Sequence, residues 1–417
     1  MKNQPSAEMI AYVKNIPIYR PSIAKNFFPI LEKPAIAHGF PDNWMTPTLA
    51  QALETGAAEC VLSTGTHHAR MQIIRPPYFL LHSYYRLWSE HPDIGFTWQK
   101  HCQRVSLTTV LATEHVARVN ARKFGLSASD TASPAARRLD ERTLYLNRKL
   151  DPARWNRADI EQMLSDLETV WQAHPDSLYH LDCSSYHLVH FLLKLDEFGQ
   201  THRFRQPASV VHAYEYTPAN VRRFLINYLG CPVVDLFGST ELGYLYYSDR
   251  DGRYAPYLDK MSLELQPFAP GSRIYSLIVS SVRNPYMPLI RYRSGDCVQT
   301  ADGSDDPAGI VRFCGREKEM LTTSRGIFSQ ADVDDLICAT SPNVFIYQLC
   351  VGPSGARLCY TTFDGEPLGD CTVANLSNAL CASTGLDCAI EHQAHLPVGR
   401  SGKYAWLVTQ PASTDPI

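Results

Sequence analysis

The sequence predicts an α/β protein in two parts, a large α/β domain over residues 1–314 and a small α+β domain over 315–417. Three observations carry this prediction. The chain has 417 residues and is 45% hydrophobic, enough for a sizeable core and roughly two to three domains. A helical pattern after Thr217 feeds an apolar strand that ends in Gly-Ser-Thr, as in a βαβ unit. The stretch beyond Gly315 reads as helix, strand, strand, helix, strand, a run that suits a small α+β domain.

The elements follow in chain order. Residues 1 to about 60 are rich in Pro and aromatics and read as a wrap around the main domain. Over 158–171, Ile160, Met163, Leu164, Leu167, Val170 and Trp171 recur at helical spacing, with Asp and Glu on the other face. Ser184 through Lys194 reads as another helix. Thr217 looks like an N-cap, with Pro218 at the first helical position. Val221, Phe224, Leu225 and Tyr228 form the apolar stripe of that helix, and Gly230 can end it. Pro232–Phe237 is a strand, and ligands bind at the carboxyl ends of such strands. Ile274–Ser280 and Leu289–Arg293 are further strands. Past a boundary near Gly315, Ala331–Ala339 reads as a helix. Val344–Val351 and Leu358–Phe363 are strands joined by a Gly-Pro-Ser-Gly turn, Val373–Ala382 is a helix and Cys388–His392 a strand. This last part is short for a core of its own, so docking on the larger domain is expected.

Charge and composition narrow the partners. The formal net charge is −3 and no long basic run occurs, which argues against nucleic acid or an anionic membrane. The first residues lack the basic-then-apolar pattern of a signal peptide. No stretch approaches the ~18 apolar residues of a membrane span. Twelve scattered Cys read as free thiols in a cytoplasmic protein.

Several segments carry chemistry. Ser63-Thr64-Gly65-Thr66 is a small-residue loop of the kind that lets backbone N–H groups approach an anion, and it reads as well as a plain polar loop. Asp235-Leu-Phe237-Gly238-Ser239-Thr240-Glu241-Leu-Gly243 ends the predicted strand. Pro288-Leu-Ile-Arg-Tyr-Arg-Ser-Gly-Asp296 and Gly315-Arg316-Glu317-Lys318 follow. Leu396-Pro-Val-Gly399-Arg-Ser-Gly402-Lys403 lies near the end. His180, Cys183, His187 and His190 approach the spacing of zinc ligands, but His187 and His190 also fit the flank of a packed helix.

In this order the motifs resemble the adenylate-forming superfamily of acyl- and aryl-CoA ligases, firefly luciferase and peptide-synthetase adenylation domains. The match runs over about residues 60–405. The short chain, the Pro-Leu-Ile-Arg-Tyr-Arg string and the compact C-terminal part are most similar to phenylacetate-CoA ligase-like enzymes. The resemblance implies a reaction: a carboxylate attacks ATP, giving an acyl-adenylate and pyrophosphate, and a thiol then takes the acyl group. It implies ATP and Mg²⁺ as cofactors, a small carboxylic acid as substrate, and coenzyme A or an acyl or aryl carrier protein as acceptor. A homodimer is compatible with it. Amide formation, attack by another nucleophile, or a degenerate homologue that only binds ligand stay open.

Residue roles carry over by position. Lys403 would bridge the carboxylate and the α-phosphate, where a point charge is suited. Thr240 would contact phosphate and Glu241 would hold Mg²⁺, since hard cations take oxygen ligands. Phe237 would lie against adenine, beside Gly238 and Ser239. Asp296 would accept from the ribose hydroxyls, and Arg316 would contact ribose or phosphate. Lys318 would be the hinge of a mobile C-terminal domain, with acid and ATP–Mg²⁺ bound between the two domains. Ser63, Thr64, Gly65 and Thr66 would wrap the outer phosphates. The family's second Gly and Lys are missing there, and Arg70 is a candidate to replace the charge. His212 and Tyr214 stand where a Gly-Ala-Glu segment has Gly and Glu, with Glu215 one residue later. With Tyr186, His187 and Gly243 they would line the acyl pocket. Tyr214, Tyr216 and Tyr244 suggest an aromatic acid.

Overall fold

A computed structural model describes residues 4–62, 71–125, 133–352 and 355–409. The chain forms two compact units. One comprises Met1–His91 and Leu236–Lys318, the other Pro92–Asp235 and Glu319–Ile417. Each is discontinuous in sequence.

The second unit is built on parallel strands separated by helices. In chain order these are β1 (Gln103–Leu107), α1 (Val110–Phe124), β2 (Thr143–Tyr145), α2 (Arg157–Ala173), β3 (Tyr179–Cys183), α3 (Ser185–Glu197), β4 (Ser209–His212), α4 (Ala219–Tyr228) and β5 (Val233–Ser239). The spatial order is β2-β1-β3-β4-β5, all parallel, with Leu107 opposite Cys183 and Cys183 opposite His212. Helices on a parallel sheet bury both of its faces, and β1, β3 and β4 are buried throughout. Leu164, Leu167, Leu188, Leu192, Val210 and Val221 fill the core. α2 follows its predicted stripe and starts at a reciprocal cap: Asn156 Oδ1 accepts from Asp159 N, and Asp159 Oδ2 accepts from Asn156 N.

The end of α4 that faces residue 217 departs from the sequence reading. Thr217 does not cap it. Pro218 occupies the N-cap position and offers no side-chain acceptor, so the first turn is served from elsewhere: Asp334 Oδ2 accepts from Ala219 N at 2.9 Å and from Tyr216 Oη at 3.1 Å.

Asp334 belongs to the C-terminal part of this unit. There α5 (Gln330–Thr340), β12 (Val344–Gly352), β13 (Gly355–Thr362), α6 (Asp370–Thr384), β14 (Cys388–His392) and β15 (Leu407–Thr409) form a four-stranded sheet of order β14-β13-β12-β15 with two helices. Val333, Ile337, Leu349, Leu358, Leu376 and Leu380 make its own core. Phe345 and Ile346 join the core around α3 instead, and Phe363 stacks on Phe224 of α4 at 4.7 Å. This is the expected docking of a small α+β part, and β15 is an added parallel strand that the sequence reading did not contain.

In the other unit the last residues of β5 pair antiparallel with β6 (Gly243–Ser248), which pairs with β7 (Tyr254–Pro256). β8 (Met261–Pro267), β9 (Ile274–Ser281), β10 (Leu289–Thr300) and β11 (Ile310–Arg316) make an antiparallel sheet in that order. The aromatic-rich N-terminal segment packs on it. Tyr19 Oη donates to the Pro288 carbonyl at 2.8 Å and accepts from Ile290 N at 3.0 Å, and Trp44 and Phe28 are buried beside it. β10 does not stop at Arg293. It runs on through Ser294-Gly295-Asp296, where three residues of β10 face Leu277 alone on β9. Gly295 supplies the positive φ of +79° that this bulge needs.

Candidate active site

Lys403 stands on a loop that closes on itself. Gly399 N donates to the Lys403 carbonyl at 2.9 Å, and Gly402 N to the Gly399 carbonyl at 2.9 Å. Gly402 has φ +76°, and a Cβ there would fall 2.9 Å from Thr109 Cβ. Only glycine meets both demands. Thr109 precedes α1, directly after β1. A sheet of order 2-1-3-4-5 reverses between β1 and β3, and the crevice at those carboxyl ends is where such folds bind ligands. The loop sits at that crevice. From it, Lys403 Nζ donates to the carbonyl of Tyr214, just past β4.

Buried polar groups run along these strands toward that crevice. Arg104 on β1 is 3% exposed and pairs with Asp182 on β3, which is 0% exposed. Tyr214 Oη donates to Asp182 Oδ2 at 3.0 Å, and Ser106 Oγ lies 3.3 Å from the same oxygen. Tyr214 has φ +82°, a strained backbone for a bulky residue that its surroundings must impose. One residue on, Glu215 Oε1 accepts from Ser184 Oγ. Burial pushes the Glu215 carboxyl up to about 8, opposed by the Lys403 ammonium. His187 Nδ1 is 3.0 Å from Ser184 Oγ, and burial pulls that imidazole down to about 3, leaving it neutral at pH 7. Tyr186 is buried and packs edge-on against Tyr404, with ring centroids 5.1 Å apart. His212 Nδ1 faces Asp235 Oδ1 at 3.2 Å, and Arg222 donates to the other Asp235 oxygen at 2.7 Å.

The first unit holds a second group of expected site residues. Glu241, 6% exposed, accepts from Tyr292 Oη at 2.9 Å. Burial and the adjacent Glu241 push the Tyr292 phenol far up, so it donates at any ordinary pH. Arg316 Nε pairs with Asp296 Oδ1 at 3.0 Å. Burial raises the Asp296 carboxyl, Arg316 and Ser294 lower it, and Glu241 adds a smaller upward push. The β10 bulge thus brings Asp296 into one cluster with Arg316, Tyr292 and Glu241. Thr240 lies in the turn between β5 and β6. Phe237 stacks on Phe313 at 3.7 Å. A Cβ on Gly238 would fall 2.3 Å from the Gly243 carbonyl, and one on Gly243, at φ +76°, 2.9 Å from Ser83 Oγ. Ser239 Oγ is buried without a hydrogen-bond partner among the described residues. Lys318 is exposed and is the last residue of this unit.

Glu241 suits a hard cation. An ionised carboxylate has about four acceptor sites, and the Tyr292 bond takes one while fixing its orientation, as the supports of metal ligands do. Ser63, Thr64, Gly65, Thr66 and Arg70 lie outside the described residues. His180, Cys183, His187 and His190 do not converge: no group of three metal-ligating side chains occurs among the described residues. His180 Nδ1 bonds Ser209 Oγ at 2.6 Å and His190 Nε2 bonds Tyr404 Oη at 3.1 Å.

Sequence reasoning missed Arg104, Asp182, Ser184, Tyr292 and Tyr404, and noticed Glu215 only as a displaced motif residue.

No family model matches the sequence, and no curated protein matches it. Solved structures do match in shape. A 2-hydroxyisobutyryl-CoA ligase in the postadenylation state, in complex with R3-HIB-AMP, is 12% identical with a TM-score of 0.66, covering 97% of this chain and 87% of that one. The anthranilate-CoA ligase AuaEII in complex with anthranoyl-AMP is 13% identical with a TM-score of 0.53, covering 83% and 65%. ATP-bound MatB from Rhodopseudomonas palustris is 13% identical with a TM-score of 0.50, covering 83% and 66%. The chain therefore has the mixed α/β fold of the adenylate-forming ligases, with a large N-terminal part and a smaller, sheet-containing C-terminal part.

Proposed function

We propose that this chain activates a carboxylic acid with ATP and passes the acyl group to a thiol, that of coenzyme A or of a carrier-protein phosphopantetheine. The observation that carries the reading is Lys403. Its loop is held against Thr109 by a glycine that nothing else can replace, and its ammonium reaches the strand ends where an αβ sheet binds ligands.

In the first step the acid's carboxylate oxygen attacks the α-phosphorus, an acyl–phosphate bond forms, and the bond to pyrophosphate breaks. Both reactants are anions and the leaving group gains charge, so fixed cations and oriented donors do most of the work. Lys403 supplies the bridging charge. Glu241, oriented by Tyr292, would hold Mg²⁺, which neutralises phosphate charge when bound. Asp296 accepts from the ribose hydroxyls, with Arg316 opposing the upward push that burial gives its carboxyl. In the second step a thiolate attacks the acyl carbonyl and AMP leaves. Residues 1–314 serve adenylation and 315–417 move, with Lys318 as the hinge, as the order of the motifs implies. The acid is aromatic, as in the phenylacetate-CoA ligase-like branch. Tyr214, 38% exposed beside Lys403, supports that choice, as does AuaEII, which carries anthranoyl-AMP on this fold.

ATP–pyrophosphate exchange with Mg²⁺ against a panel of aryl and aliphatic acids tests the reading. Exchange that depends on an aryl acid is the expected result. Folded, ATP-binding protein that exchanges with no acid would overturn it.

A further inference from the structure

Lys403 has a second carboxyl to answer to. Glu215 follows the residue whose carbonyl takes the ammonium, and its side chain turns inward. Oε1 accepts from Ser184 Oγ, while Oε2 is buried with no hydrogen-bond partner among the described residues. Behind Ser184 stands neutral His187, so this end of the chain of contacts brings no positive charge. The other titratable groups facing Glu215 are Cys183 on β3, Tyr186 on α3 and Tyr404 beside Lys403. Burial pushes each of these upward, which keeps thiol and phenols neutral. The charge Glu215 meets is that of Lys403.

We infer that Glu215 is a positioning residue for Lys403 that competes with the substrate: ionised, its buried carboxyl holds the ammonium beside the Tyr214 carbonyl, and neutral, it leaves the ammonium to the acid. The inference rests on the adenylation reading for its consequence, although the Glu215–Lys403 couple itself does not. Two carboxylates and one ammonium form a simple competition. At neutral pH the desolvated Glu215 takes a proton, and Lys403 is available to the incoming carboxylate. The group's ordinary value lies near 4.5 and burial moves it to about 8, so ionisation and capture of Lys403 set in as pH rises through about 8. If only the neutral form lets the acid bind, the acid's KM rises about tenfold between pH 7 and 9.

Two measurements decide it. The first is the KM of the acid in pyrophosphate exchange from pH 6.5 to 9.5, for the wild type, Glu215→Gln and Ser184→Ala. The wild type is expected to show the rise and Glu215→Gln a flat profile. Ser184→Ala, which keeps the carboxyl but removes the hydroxyl that favours its ionised form, is expected to rise at higher pH. The same rise in Glu215→Gln as in the wild type would overturn the inference. So would a profile unmoved by Ser184→Ala, the variant that decides should Glu215→Gln not fold. The second measurement needs no turnover: acetylation of Lys403 by an amine-reactive ester, read by mass spectrometry against exposed Lys25 across the same pH range. Relative labelling should drop above pH 8 in the wild type and not in Glu215→Gln. Equal labelling in both proteins would overturn the inference even in a chain that exchanges with no acid, whereas a drop confined to the wild type in such a chain would uphold the couple and reject adenylation.

Discussion

Replacing Lys403 with Ala removes the ammonium that donates to the Tyr214 carbonyl, and with it the charge proposed to join two anions. Acid-dependent exchange should fall by roughly two to three orders of magnitude, the range for loss of a preorganised electrostatic group. Thioester formation from a supplied acyl-adenylate should survive, because that step starts after the two anions are joined. Equal loss in both half-reactions, followed by separate assays, would count against the assignment. The motif around Lys403 was legible because Gly399 and Gly402 are local requirements of one loop. Glu215 and Ser184 were not, since their contact joins residues 31 apart through a fold that no local pattern encodes.

Elements differ in how far their sequences announce them. α2 was plain from its apolar stripe, and its Asn156–Asp159 cap agrees with that stripe. β1 and β3 were hidden, because Gln-Arg-Val-Ser-Leu and Tyr-His-Leu-Asp-Cys break the apolar run expected of central parallel strands. Across the sheet one carboxylate oxygen, Asp182 Oδ2, takes both Arg104 and Ser106. The end of the predicted strand at Arg293 was missed for a related reason: a three-residue bulge looks like a turn in sequence and keeps pairing in space. At β5 the pairing is closer than usual. A Cβ at Gly238 would meet the Gly243 carbonyl at 2.3 Å. Gly238→Ala should therefore displace β6 and lower stability by about 1–3 kcal/mol, measured by urea unfolding, with the turn at Thr240 and Glu241 moving too. Unchanged stability would mean that β6 yields freely.

On the scale of the whole molecule, the chain passes between its compact units at His91, at Asp235 and at Lys318. The last crossing is a short turn, Glu317–Glu319, with Lys318 exposed, and it coincides with the hinge position implied by the motif. Proline fixes φ near −65°. Lys318→Pro should leave acid-dependent exchange within a few-fold of normal and depress thioester formation by about tenfold or more, if φ at this residue changes between half-reactions, as hinge residues do. Single-turnover measurement of each step separates the two. Loss of exchange alone would assign Lys318 to adenylation instead.

The cap on α4 has a consequence for how the protein is made. The acceptor for Ala219 N is Asp334, 115 residues downstream. At about 5–20 residues per second of synthesis, α4 leaves the ribosome roughly 6–23 s before the residue that finishes its first turn. Through that interval its start has only water for a partner, and the faces awaiting Phe345 and Phe363 stand open to chaperones and to other nascent chains.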